Sequence, residues 1–213
     1  MTDLLILFLK SIGIGIAIAA PVGPVGVLCM RRAVSVGRLS AVTTGLGAAT
    51  ADAFYASVTA FGLTAIADLL LQYQTPAALV GGVFLLILAY RIAGSSATAK
   101  SLGGNVEVST RSHLTGYIST FFLTMTNPAT ILSFAAIFAG IGFLQNLDQE
   151  YSAIILVSGV FLGSALWWVI LANIATALKK RLGIRFERYV NLASAAVIGI
   201  FGVIALASLA IKV

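Results

Sequence analysis

One acid stands alone in a long apolar run. Asp52 lies about 12 residues into the hydrophobic stretch that begins near residue 40, close to mid-membrane depth at ~1.5 Å rise per residue. A carboxyl group there costs ~2.5–3.5 kcal/mol on insertion scales, so it must face a protein interior or a watery cavity. No basic residue lies mid-run to neutralise it. A protonatable acid in that position suits proton coupling or capture of an ammonium group. It could also be structural, paired with Tyr55 or with backbone donors near Pro24. At helical spacing, Gly45, Ala48, Asp52, Tyr55 and Thr59 share one small, partly polar face, flanked by Gly47 and Thr50.

The second group with chemical potential is backbone. Of four prolines, Pro76 opens an apolar run, where a first helical turn tolerates it. The other three fall inside apolar runs, in Ala20-Pro21-Val22-Gly23-Pro24-Val25-Gly26 and in Thr126-Asn127-Pro128-Ala129. A proline in mid-helix removes a donor and frees the carbonyl one turn back. At membrane depth such groups survive only when buried in protein or lining a cavity. A helix restarting after a break points free N–H groups and a positive dipole end inward, where they favour an anion. The sequence therefore predicts a small-molecule site at Pro21, Gly23, Pro24, Tyr55, Asn127 and Pro128, with Asp52 as the ion-coupling group. A single such kink would be unremarkable; a matched pair indicates a site.

These residues need membrane helices to hold them. Of 213 residues, 60% are hydrophobic and 9% charged, against ~25% charged in soluble domains. That excludes a soluble enzyme, a nucleic-acid-binding domain and a disordered chain. Apolar stretches run roughly over 4–28, 40–66, 76–94, 114–143, 151–176 and 190–211, which predicts an all-α polytopic membrane protein with six transmembrane helices. They are too continuous for the alternating strands of a β-barrel. Asp3 and the length of the first stretch argue against a cleaved signal peptide.

Eleven of the thirteen basic residues fall in or beside alternate connections: Arg31, Arg32 and Arg38; Arg91, Lys100 and Arg111; and Lys179 through Arg188. The positive-inside rule makes that side cytoplasmic and both termini external. The basic residues then act as topology signals, so the pI near 9.8 does not imply a nucleic-acid partner. Tyr73, Tyr90, Tyr117, Tyr151 and Tyr189 sit near span ends, as an interfacial belt would. Cys29, the only cysteine, reads as a small apolar residue near the cytoplasmic face, and His113 as a solvated residue at a loop boundary. Gly159 and Gly163 would permit close helix packing, and Trp167 or Trp168 could line a cavity.

The polar segment around Gly103-Gly104-Asn105 divides the chain into a first half, 1–94, a cytoplasmic linker, 95–113, and a second half, 114–213. Three spans per half make the halves inverted repeats, with the first helix of each broken.

The run Ala20-Pro21-Val22-Gly23-Pro24-Val25-Gly26-Val27-Leu28, followed by Arg31-Arg32-Ala33, Gly37-Arg38, Gly45-Leu46-Gly47, Ala51-Asp52-Ala53 and then Thr126-Asn127-Pro128, resembles the LysE-type translocator family of bacterial amino-acid exporters. Two departures stand out. Pro21-Val22-Gly23-Pro24 replaces a compact Pro-Gly-Pro, and Ala129 stands where a lysine often follows Asn-Pro. The resemblance implies export of an amino acid or similar metabolite across the bacterial inner membrane, driven by the proton gradient or membrane potential. The implied partners are the substrate, protons, the lipid bilayer and a second copy in a homodimer, with no cofactor or metal. A channel, or an exporter of another small solute or ion, is the alternative. An intramembrane enzyme, which needs a nucleophile and base facing each other, is disfavoured, because the lone His113 stands at a span boundary and no Gly-x-Ser-x-Gly occurs.

Overall fold

In the computed structural model of the chain, the described residues are 2–21, 23–61, 72–94, 110–127, 130, 131, 133, 134 and 149–211. Among them the regular structure is entirely helical. Helix α1 covers Thr2–Ala19, α2 Pro24–Ser35, α3 Arg38–Ala60, α4 Gln74–Gly94, α5 Thr110–Met125 and α6 Gln149–Ile211. The expected linker lies outside the described residues except for its last four positions, which open α5.

The first apolar stretch is broken as expected, and α1 and α2 meet at 83°. The prolines do not kink a continuous helix, however. Pro24 takes the first position of α2, where its missing N–H costs no hydrogen bond. The turn from α2 into α3 is made at Gly37, whose φ of 131° favours glycine. Its N–H closes α2 on the Arg32 carbonyl, and its own carbonyl receives the Ala41 N–H to start α3.

One expectation is corrected outright. The connection expected between the stretches 151–176 and 190–211 is itself helical, and helical structure runs unbroken for 63 residues through the basic segment. Lys, Arg and Leu are good helix formers, and no Pro interrupts the run. This helix is not straight. A straight one would hold Ser164 and Gly202 about 57 Å apart. Yet Ser164 bonds Asp52, Tyr55 one turn on bonds the Met125 carbonyl, Thr126 abuts Gly81, and the Gly82 carbonyl abuts Gly202. That path spans at most about 47 Å even if every step were collinear. Helix α6 therefore doubles back, with an N-terminal arm against α1, α2 and α3 and a C-terminal arm against α4.

Facing residues set the helix directions. Thr43 meets His113, Thr44 meets Thr120 and Tyr55 meets Met125, so α3 and α5 run parallel. Gly45 meets Trp168 and Asp52 meets Ser164, so α3 opposes the first arm of α6. Ala89 meets Gly199 and Leu86 meets Gly202, so α4 opposes the second arm. The Gly159–Gly163 pair does allow close packing: a Cβ at Gly163 would lie 2.1 Å from the Ile12 carbonyl oxygen.

The interior is small and partly polar, with Ser11, Ser40, Thr44, Asp52, Thr120 and Ser164 all buried. Large apolar residues such as Leu5, Leu9, Ile87, Phe122, Leu166 and Ile204 are exposed around the outside. This arrangement suits a hydrocarbon surround, where close approach and internal hydrogen bonds hold helices together. Tyr151–Arg181 is long and apolar enough to cross a bilayer alone, and α1 with α2 meets the same test as one bent span. Tyr73, Tyr90, Tyr151 and Tyr189 are exposed, whereas Tyr117 is drawn inward and donates to Thr50 at 2.8 Å.

Candidate functional site

The two predicted breaks share a local design. At the first, the Ala20 N–H closes α1 on the Ile16 carbonyl at 2.8 Å, and Pro21 follows. Gly23 is extended, with φ −112° and ψ −170°, and caps α2 with its carbonyl taking the Val27 N–H at 3.1 Å. At the second, α5 ends at Met125, and the Asn127 carbonyl takes the N–H groups of Thr130 and Ile131, each at 3.1 Å. Gly23 and Asn127 thus play the same role, and a proline follows each in sequence. Pro128 itself lies outside the described residues, as does Val22.

No side chain caps the start of α2. A Cβ built on Gly23 or on Gly26 would meet nothing within 4 Å, although Gly26 is buried. Among the described residues nothing crowds the N-terminal donors of α2 at Gly23 and Gly26, and a helix start left uncapped favours an anionic group.

Tyr55 belongs to the second break. Its hydroxyl donates to the Met125 carbonyl at 2.7 Å, and its ring stacks on Phe134 with centroids 5.2 Å apart. One side chain thereby holds both flanks of the interruption. The cluster around Tyr55 includes Ile131, Leu156 and Val160, and both Ile18 and Met125 pack against it. Both helix ends that precede the breaks thus touch one core. One turn before the break, Thr124 is 4% exposed and its hydroxyl has no hydrogen-bond partner among the described residues.

Asp52 is 3% exposed. Among the described residues its hydrogen-bond partner is Ser164, whose hydroxyl donates to Oδ2 at 2.7 Å. The Trp168 indole N–H in turn donates to the Ser164 oxygen at 3.1 Å. Gly45 makes room for this, since a Cβ there would lie 2.3 Å from the Trp168 Cβ. The shared face read from the sequence is accordingly split. Gly45 and Asp52 turn to α6, while Tyr55 turns to the second break. Sequence reading missed Ser164 altogether, although Ser164-x-x-x-Trp168 is one helical turn following directly on the Gly159–Gly163 pair.

Two residues at the Gly37 end are more engaged than expected. Arg32 is a half-buried side chain reaching the Ser40 hydroxyl at 3.4 Å, not only a topology signal. His113 is half-buried, with Nδ1 3.4 Å from the Thr43 hydroxyl. Cys29 is fully buried and bonds the Ala41 carbonyl, in keeping with a small packed residue. Among the described residues no three His, Cys, Asp or Glu side chains gather as metal ligands.

Matched helix breaks beside a buried acid, inside an apolar-faced helical bundle, define a membrane translocator. The family model for LysE type translocators matches residues 16–209, and the chain belongs to that family. It is similar to "Uncharacterized membrane protein YahN" of Escherichia coli K12, at 27% identity over 78% of this chain and 73% of the relative. It is also similar to "Putative amino acid efflux protein YcgF" of Bacillus subtilis 168, at 28% identity over 83% of both chains. No solved structure matches.

Proposed function

We propose that this translocator is a secondary exporter of amino acids or similar small metabolites across the bacterial inner membrane, coupled to protons through Asp52. The observation that carries the reading is the buried carboxyl one helical turn from Tyr55, which itself fastens the second break. In this reading the uncapped start of α2 receives the substrate carboxylate and the second break completes the site, while Asp52 takes up and releases the proton. The efflux activity in the name of the Bacillus subtilis relative supports the substrate class.

Six alternating crossings in two inverted halves complete the reading. It is supported by the parallel run of α3 with α5 and of α1 with the first arm of α6, and by the antiparallel run of α4 with the second arm. Spans two and four, one and five, and three and six must run in those senses. Counterflow of labelled amino acids in proteoliposomes tests the function: saturable exchange of an amino acid is expected, and unsaturable flux would replace the carrier with a channel.

A further inference from the structure

Ser164 stands where three helices meet. Its hydroxyl reaches Asp52 of α3, its indole donor lies one turn along α6, and its backbone lies against Gly15 of α1. A Cβ at Gly15 would fall 2.2 Å from the Val160 carbonyl oxygen and 2.9 Å from the Ser164 nitrogen, so the contact is backbone against backbone. Helix α1 ends at the first break, only a few residues beyond Gly15.

The hydrogen bonds have a fixed sense. An indole nitrogen only donates, so the Ser164 oxygen must accept from Trp168. Its single hydrogen is then free for Asp52, an arrangement that fits an ionised carboxylate, which only accepts. When a proton adds to Oδ2, the acid brings its own O–H to the same serine oxygen. The serine hydrogen must then leave. The acceptor open to it is the carbonyl one turn back, that of Val160, the usual resort of a helical serine. No covalent bond changes other than the carboxyl O–H, yet the hydrogen bond that ties α6 to α3 reverses direction, and the Val160 carbonyl against Gly15 gains a second donor beside the helical N–H of Ser164.

We propose that Ser164 and Trp168 are positioning residues that transmit the charge state of Asp52 to the seam between α1 and α6. This rests on the reading of Asp52 as the coupling acid. Other titratable or cationic groups on the packed elements include Tyr55 and Tyr117, engaged by Met125 and Thr50; Cys29, Arg31, Arg32, Arg38, His113, Lys179, Lys180 and Arg181 toward the Gly37 end; and Asp3, Lys10, Glu150 and Tyr151 toward the opposite ends of α1 and α6. The control for all of them is Asp52→Asn.

The test uses the purified full chain in proteoliposomes. Exchange and gradient-driven export are measured for Ser164→Ala, Ser164→Thr and Trp168→Phe. Loss of one hydrogen bond to a charged group should lower the ratio of export to exchange by about ten-fold in Ser164→Ala. Trp168→Phe should act in the same sense while keeping most of the ring, so it carries the test if Ser164→Ala does not fold. Ser164→Thr, which keeps a hydroxyl, should restore coupling. In parallel, Trp167→Phe leaves Trp168 as the sole tryptophan. Its emission should change with pH, and that change should vanish with Asp52→Asn or Ser164→Ala. Emission that titrates equally in the Asp52→Asn background, or normal coupling in both Ser164→Ala and Trp168→Phe, overturns the inference and leaves Asp52 as coupling acid intact. Normal gradient-driven export by Asp52→Asn instead overturns the coupling reading itself.

Discussion

Asp52→Asn separates three roles at one position. Asparagine resembles the protonated acid permanently. If the carboxyl couples protons, exchange of substrate for substrate survives, because that half-cycle moves no proton, while export driven by a pH gradient falls to background. If it binds the substrate amine, both activities fall together with weakened affinity. If it is structural, stability or expression drops without a specific loss of coupling. We expect the first pattern, with both activities measured on the same purified variant. Gly23 supplies the second prediction at this scale. A side chain there meets open space, so Gly23→Leu should insert and purify normally. The leucine would nevertheless fill the volume beside the α2 donors, and transport should fall to background in the counterflow assay. Full activity would return this motif to a plain interruption.

At the scale of elements, close contacts of backbone on backbone hold the helices where Asp52 and the breaks need them. Gly163 illustrates the constraint, since the atoms a Cβ would strike are main-chain atoms of Ile12 that cannot swing aside. Overpacking of that kind costs roughly 1–3 kcal/mol, so Gly163→Ala should lower the thermal unfolding midpoint in detergent. Gly13 is the paired control. It lies on the same helix as Ile12, and nothing stands within 4 Å of its added Cβ. Gly13→Ala should leave the midpoint unchanged or raise it, since alanine favours helix over glycine. Equal losses in both variants would mean that α1 and α6 are not seated as described.

The whole molecule carries the topology prediction. On the proposed topology, the asymmetry of basic residues would put the linker, 95–113, in the cytoplasm and the connection between the stretches ending at 143 and starting at 151 outside. In a Cys29→Ala background, a cysteine replacing Asn146 should react with an impermeant thiol reagent applied to intact cells, and one replacing Ser101 should not. The reverse labelling would invert the proposed direction of transport. The doubled-back α6 is consistent with this assignment. Its basic residues from Lys179 to Arg188 lie in sequence between the stretches that form its two arms, and the Lys179 ammonium donates to the Val34 carbonyl near the end of α2.

Composition and one-dimensional pattern determined a good deal. Sixty per cent hydrophobic residues with 9% charge fix an apolar surround, because so few charges cannot cover a wet surface. Three prolines inside apolar runs, Pro21, Pro24 and Pro128, mark the two interruptions, because the missing N–H and the ring act within one helical turn. Burial of Asp52 follows from its depth, because nothing local could neutralise it. Tertiary structure alone decided its partner. Ser164 is 112 positions away, and the sequence does not encode which of several small residues on α6 comes opposite. The same holds for the division of the α3 face between α6 and the second break, and for Tyr55 bridging that break: a helix repeats its faces every few residues, but only packing assigns each face a neighbour. The unbroken course of α6 was hidden for the opposite reason. A basic, polar segment reads as a loop between spans, whereas strong helix formers without a proline continue the helix and let its two arms turn back toward the bundle.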